Sequence, residues 1–125
     1  MRRLDHIDLR VSDLSAVTPF YQRLLPALGF TQRIEIPPWL QFCAEGDGPT
    51  EFFGVIESPN HQPNENRIAF WTESPAEVDR LARLLTEIGA CNIEGPGYDE
   101  GPGYYAVFFE DPCGNRLEIC HRETN

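Results

Sequence analysis

The feature that most constrains the fold is an internal repeat. Two stretches with matching apolar positions, His6-Ile7-Asp8-Leu9 and Arg67-Ile68-Ala69-Phe70, lie 61 residues apart. Leu24 and Leu85 are separated by the same interval, and each half has a glycine after its helical segment. Both halves read as strand, helix and three strands. We therefore predict an α+β fold of two tandem βαβββ modules, forming a curved mixed sheet with the helices on its convex face.

Alternation of apolar and polar residues predicts the strands, and turn residues separate them. The predicted strands are 4–11, 31–36, 40–44 and 51–56 in the first module, and 67–73, 91–93, 104–110 and 115–121 in the second. The predicted turns are 37–38, 45–49, 95–97 and 111–114. Module one spans 1–57 and module two spans 66–125, and a polar linker with two prolines joins them over 58–65.

The helices are predicted from their capping residues. Pro19 is unfavourable inside a helix, so the sequence favours a turn from Asp13 and a regular helix that begins at Thr18-Pro19, with Thr18 as the cap and Pro19 as the first helical residue. Gly29 ends this helix. In the second module, Ser74-Pro75-Ala76-Glu77 has the form of a capping box with proline at the first helical position. Each helix has one apolar stripe, which has to cover one face of its sheet.

Composition limits the partners and the location. The 20 acidic and 10 basic residues give a net charge of −10, which opposes binding to a nucleic-acid backbone. No apolar run approaches the ~20 residues needed to span a membrane. The four cysteines lack zinc-finger spacing, and patterned sequence begins at the N-terminus without a signal peptide. We expect reduced cysteines and a cytoplasmic protein.

Strand alternation also assigns side chains to the sheet face that the helices leave open. Phe52 and Ile56 are assigned to the helix side. The residues assigned to the open face that could bind or react are His6, Glu51, Phe53, Arg67, Trp71 and Glu118. Ionisable groups removed from water need a partner or a metal, and aromatic walls suit an apolar ligand. The open face is therefore the predicted site.

Segments spread over the whole chain carry a family resemblance. They are Leu4-Asp5-His6-Ile7, Phe20-Tyr21 with Leu28-Gly29-Phe30, Arg67-Ile68-Ala69-Phe70, and 111–118, which reads Asp-Pro-Cys-Gly-Asn-Arg-Leu-Glu. The last is the most specific. Together they resemble the vicinal-oxygen-chelate superfamily of glyoxalases, bleomycin-resistance proteins and extradiol dioxygenases. The resemblance implies a glyoxalase-like fold that binds a small-molecule substrate on the concave face of the sheet.

In metal-using members, the first and last strands of each module supply the ligands. The resemblance assigns His6, Glu51 and Glu118 to three of these four positions. Arg67 holds the fourth, and a guanidinium has no lone pair to offer a cation. Two interpretations follow from this departure.

In the first interpretation, these three residues hold a divalent ion (Zn, Ni, Mn, Fe or Mg) in a lyase or isomerase similar to lactoylglutathione lyase, or in a dioxygenase-like enzyme. Glu51 and Glu118 would then be the catalytic carboxylates, and Arg67 would bind an anionic group of the substrate. In the second, no metal is bound. Arg67 pairs with Glu118 or Glu51, and the cavity binds a small molecule as in the bleomycin-resistance branch.

Three aromatic residues complete the predicted site. Phe53 and Trp71 are assigned to it by alternation, and Tyr105 by its place at the end of a loop, 101–105, that resembles the loop bordering the cavity in relatives. We also predict a homodimer, because each module has a small core and edge strands that can pair within one chain or across two.

Overall fold

The computed structural model describes residues 2–99, 101 and 103–123. The chain forms two compact units, Met1–Gln62 and Pro63–Asn125. Each unit is one βαβββ module, so the predicted α+β repeat is confirmed. Pro102, within the loop predicted to border the cavity, lies outside the described residues.

The two units share one topology. The first contains β1 (His6–Val11), α1 (Leu14–Ala27), β2 (Gln32–Ile36), β3 (Trp39–Cys43) and β4 (Phe52–Glu57). The second contains β5 (Arg67–Trp71), α2 (Pro75–Ile88), β6 (Cys91–Tyr98), β7 (Tyr104–Glu110) and β8 (Arg116–Arg122). The strand orders are β1-β4-β3-β2 and β5-β8-β7-β6. In both sheets the first and last strands of the module are parallel neighbours, and the other pairs are antiparallel.

The first helix begins earlier than the sequence predicted. Asp13 is the N-cap, and its Oδ1 accepts a hydrogen bond from the backbone N–H of Ala16 at 3.3 Å. The helix therefore starts at Leu14, and the predicted start at Thr18 was wrong. Pro19 lies inside the helix, where it cannot donate a backbone hydrogen bond. The buried apolar face of the helix, with Val17, Phe20, Tyr21, Leu24 and Leu25, stabilises it in spite of the proline.

The second helix follows its capping signals. The Ser74 side chain accepts a hydrogen bond from the backbone N–H of Glu77 at 3.2 Å, and Pro75 is the first helical residue. Gly89 ends the helix in the left-handed conformation, with φ of 89°. Among the described residues, neither helix has the length and apolar character needed to cross a membrane.

The segment Gly95-Pro96-Gly97, predicted as a turn, lies inside β6 instead. The pairing of β6 with β7 shifts register on both sides of Glu94, as at a β-bulge. Gly95 has φ of +94°, and a Cβ atom there would lie 2.9 Å from the carbonyl oxygen of Ala106. The glycine therefore allows a bulge within a continuing strand, so the turn prediction was wrong.

A buried carboxylate holds the turn before β8. Asp111 is fully buried, and its Oδ1 accepts hydrogen bonds from the backbone N–H groups of Cys113 and Asn115 at 2.9 and 3.0 Å. Its Oδ2 accepts from the Asn115 side-chain amide at 3.1 Å. The most specific motif of the sequence therefore has a structural role, which is to fix the start of β8.

The helix side of each sheet forms a core. The largest fully buried side chains of the first unit are Tyr21, Phe20, Phe42, Phe53, Leu24, Leu25, Leu40 and Val11. Those of the second unit are Leu81, Leu85, Leu117 and Ile119. All four cysteines are free thiols. The chemistry of each unit must therefore be sought on the opposite face of its sheet.

Candidate ligand-binding site

The open face of the second sheet carries the side chains that alternation assigned to it. Leu117 and Ile119 are fully buried on the α2 side of β8, which places Glu118 between them on the other side. In β5, Phe70 is buried while Arg67 is exposed. Because β5 and β8 are paired, Arg67 and Glu118 lie on one face of one sheet. This part of the sequence prediction is confirmed.

A cavity of about 520 Å³ opens on this face. The residues that line it all belong to the second unit, and they are Arg67, Asp99, Gly103, Tyr104, Phe108, Glu118, Arg122 and Glu123. Two guanidinium groups, three carboxyl groups and two aromatic rings thus surround one space. Such a lining suits a small polar molecule with an apolar part.

Both arginines of the cavity lie over aromatic rings. The Arg67 Cζ atom is 4.8 Å from the centre of the Phe108 ring, and the Arg122 Cζ atom is 5.5 Å from the centre of the Tyr104 ring. These distances allow cation–π attraction, which favours a position of each guanidinium group over its ring. Within the described part of the second unit, Arg67 and Glu118 do not form the ion pair that one interpretation of the sequence predicted. Arg67 instead contacts an aromatic ring.

Glu118 is the one acidic residue of the cavity that is buried, with 6% of its surface exposed. Its Oε2 accepts a hydrogen bond from the hydroxyl of Tyr104. Its neighbours across the sheet are Ala69 on β5 and Phe108 on β7. The hydrogen bond from the tyrosine orients the carboxyl group. A preorganised carboxyl group of this kind can accept hydrogen bonds from a ligand or exchange a proton with it.

Tyr105, predicted to contact substrate, faces the helix instead. Its hydroxyl donates a hydrogen bond to Oδ1 of Asp79 on α2 at 2.6 Å. This hydrogen bond is the largest cause of a raised pKa of Tyr105, and partial burial adds to it. Adjacent strand residues point to opposite faces, so Tyr104 reaches the cavity and Tyr105 does not. The prediction of Tyr105 was wrong by one position.

Two further residues share the Arg67 side of the sheet. Trp71 is 65% exposed, and it is not part of the described lining of the cavity. Cys120 is 8% exposed and is the cross-strand neighbour of Trp71 and Ala106. Burial raises the pKa of the Cys120 thiol, and the nearby Glu118 raises it further. Cys120 is therefore a packing residue rather than a reactive thiol.

In the first unit, His6 lies at the start of β1 on the face away from α1. Its ring stacks on Phe52 with the ring centres 4.4 Å apart. Its Nδ1 atom is 2.8 Å from Oδ2 of Asp5, and its Nε2 atom is 3.5 Å from Oδ2 of Asp8. His6 is thus held by neighbours from its own strand and from β4.

The predicted facing of β4 was wrong. Phe53 is 1% exposed and stacks on Tyr21 of α1, with the ring centres 6.1 Å apart, so it faces the helix and not the site. Phe52 contacts His6 on the opposite face. The backbone pairing continues to Glu51, whose carbonyl accepts from the N–H of Ala44 at 2.9 Å. By alternation, Glu51 shares the helix side with Phe53 and is separated from His6.

The donor groups on these faces do not fit a divalent ion. Alternation from Phe53 assigns Glu51, the residue before β4, to the side of the sheet opposite His6. Glu118 is hydrogen-bonded to Tyr104 and shares its cavity with two guanidinium groups, which would repel a cation. Within the described part of either unit, no three His, Cys, Asp or Glu side chains are grouped so that they could hold a metal. The lining of the cavity suits charged organic groups instead.

Among the described residues, sequence reasoning missed five charged or aromatic lining residues of the cavity. They are Asp99, Tyr104, Phe108, Arg122 and Glu123. Parity along β8 offered a signal for Arg122, because it is four residues beyond Glu118 and therefore on the same face. For Phe108, the signal was its place within a strand predicted with the right bounds. Asp99 lies in a connection and carried no such signal.

Comparison with known proteins agrees with this architecture. The family model described as "Glyoxalase/Bleomycin resistance protein/Dioxygenase superfamily" matches residues 3–119. A Bacillus subtilis (strain 168) protein, YqjT, is 29% identical over 128 residues, which cover 93% of this chain and 96% of that protein.

Solved structures are similar over nearly the whole chain. A glyoxalase/bleomycin resistance protein from Albidiferax ferrireducens T118 has a TM-score of 0.77 and 24% identity, and the match covers 96% of this chain and 98% of that one. The fosfomycin resistance protein FosX from Listeria monocytogenes has a TM-score of 0.73 and 22% identity, covering 98% and 95%. At these identities the structural likeness establishes the shared fold.

Proposed function

Because the chain belongs to the glyoxalase/bleomycin resistance protein/dioxygenase superfamily, we propose that it binds a small organic molecule in the cavity of its second unit. The ligand has an acidic group, which Arg67 binds, and an apolar part, which lies against Phe108 and Tyr104. Binding requires no metal ion. This is the function of a small-molecule-binding protein of the bleomycin-resistance type.

One observation carries the proposal, namely that two guanidinium groups held over aromatic rings line a single cavity of about 520 Å³. An arginine fork can bind a carboxylate or phosphate through two parallel hydrogen bonds. Attraction to the rings favours these positions of the guanidinium groups before the ligand binds, which reduces the entropy lost on binding. The volume is in the range of cavities that bind small molecules.

The alternative that the family suggests is a metal-dependent lyase or isomerase with His6, Glu51 and Glu118 as ligands. The donor set argues against it, since alternation assigns Glu51 and His6 to opposite faces of their sheet and guanidinium groups line the cavity of Glu118. Metal analysis separates the two functions. About one divalent ion per chain, retained after dialysis and lost in Glu118→Gln, would favour the lyase or isomerase.

The binding proposal is tested by calorimetric titration in EDTA. The probes are small aromatic and aliphatic carboxylates, organic phosphates and amino acids. At least one is expected to bind with sub-millimolar affinity, and Arg67→Gln is expected to weaken that binding about tenfold, because a charge-assisted hydrogen bond is lost. Arg83→Gln, which makes the same change at an exposed position of α2, should leave it unchanged. No binding in EDTA, or an affinity that is unchanged in Arg67→Gln, would refute the proposal.

We also propose that the protein is a cytoplasmic homodimer. Each unit is a four-stranded sheet with two edge strands, and Ile34, Ile36 and Trp39 of the β2–β3 hairpin are 42%, 52% and 40% exposed. Covering such edges and side chains favours association. Four free thiols are consistent with a reducing compartment. Sedimentation that shows only monomer at micromolar concentration would contradict the dimer.

A further inference from the structure

The charges that line the cavity of the second unit have both signs. Arg67 and Arg122 contribute positive charge, and Asp99, Glu118 and Glu123 contribute carboxyl groups. A ligand with only negative charge would gain from the arginines but would be repelled by the carboxylates. A ligand with only positive charge would be attracted by the carboxylates but repelled by the arginines. Neither kind of ion matches the whole lining.

The two signs also adjoin at one level of the sheet. Glu118 and Phe108 are directly opposite each other on β8 and β7, and the guanidinium of Arg67 lies over the Phe108 ring. A positive and a negative group therefore border the same aromatic ring. Arg122, which pairs with Tyr104, lies four residues beyond Glu118 on β8. This separation corresponds to roughly 13 Å along the strand. The compact site with both charges is the one formed by Arg67, Phe108 and Glu118.

From this arrangement we infer that the ligand is a compact zwitterion, with an acidic group for Arg67, an ammonium group for Glu118 and an apolar part over Phe108. The amino-acid class has this chemistry. The Tyr104 hydroxyl donates a hydrogen bond to one oxygen of the Glu118 carboxyl group, and because a carboxylate can accept several hydrogen bonds, an ammonium N–H would add to those that the group already accepts. The inference rests on the proposed function and adds the second charge of the ligand.

Three matched probes test the inference by calorimetric titration of the intact chain at pH 7 in EDTA. Phenylalanine carries both charges, 3-phenylpropionate lacks the ammonium group, and 2-phenylethylamine lacks the carboxylate. Phenylalanine is expected to bind about tenfold more tightly than either relative, because each relative loses one charge-assisted hydrogen bond. This comparison uses only the unaltered protein, so it does not depend on any variant folding.

Two variants assign the charges. Arg67→Gln should remove the preference for phenylalanine over 2-phenylethylamine, and Glu118→Gln should remove the preference over 3-phenylpropionate. Arg83→Gln on α2 should change neither. Equal affinities of phenylalanine and 3-phenylpropionate for the unaltered protein, including no binding by either, would overturn the inference. If 3-phenylpropionate binds as tightly as phenylalanine and needs Arg67, the inference fails while the proposed function stands.

Discussion

Replacing Asp111 with alanine separates a structural role of the Asp-Pro-Cys-Gly-Asn turn from a role in ligand binding. The fully buried Asp111 carboxylate accepts two backbone N–H groups and one side-chain amide. Without it, these donors lose their acceptor, and each such loss costs roughly 1–3 kcal/mol. Some donors will find water, so we expect a decrease of about 3–5 kcal/mol in the free energy of unfolding.

The assay is urea unfolding followed by circular dichroism, with ligand titration of the folded fraction. Since domains are commonly stable by only about 5–15 kcal/mol, Asp111→Asn, which keeps one acceptor oxygen, should be measured in parallel and should lose about 1–2 kcal/mol. Asp47→Ala in the exposed 45–49 turn is the control and should lose little. A loss below about 1 kcal/mol for Asp111→Ala, together with abolished ligand binding, would refute the structural role.

Three further predictions address other parts of the second unit. Tyr104→Phe should change ligand affinity, whereas Tyr105→Phe should lower the free energy of unfolding by about 1 kcal/mol and leave affinity unchanged. Ligand titration and urea unfolding of both variants check this. A change of affinity in Tyr105→Phe but not in Tyr104→Phe would contradict the assignment of Tyr104 to the cavity and Tyr105 to the helix side. The raised pKa of Cys120 leaves less thiolate at neutral pH, so alkylation should be slower at Cys120 than at the exposed Cys91 and should become faster as the pH rises. Peptide mass spectrometry after iodoacetamide treatment measures both rates. Equal rates at the two cysteines would contradict this prediction. Gly95→Ala should lower the free energy of unfolding by more than about 1 kcal/mol, because Gly95 has a positive φ and lies close to the carbonyl oxygen of Ala106. An unchanged midpoint of urea unfolding would contradict the need for glycine in this bulge.

The sequence predicted the fold because the repeat, the strand order and the second helix all have local signals. It also predicted the facing of β5 and β8 correctly. In those strands a charged residue, Arg67 or Glu118, stands next to apolar ones, and the charge identifies the open side.

Prediction failed where that contrast is missing. The β4 strand reads Phe-Phe-Gly-Val-Ile and has no polar residue to mark its open face, so its alternation was assigned in the wrong phase. The consecutive Tyr104 and Tyr105 pose the same ambiguity. Only the contacts with Tyr21 and Asp79 on the helices decide it. The metal hypothesis came from the family resemblance, and the β4 assignment supported it by placing Glu51 on the side of His6.

The most direct test of the central claim is a map of backbone amide chemical-shift changes in EDTA, on addition of the acid that binds most tightly. If guanidinium and carboxyl groups on the open face of the second sheet hold the ligand, the largest chemical-shift changes are expected at Ala69, Phe108 and Glu118. Changes confined to the α2 side or to the first unit, or changes that require an added divalent ion, would contradict it.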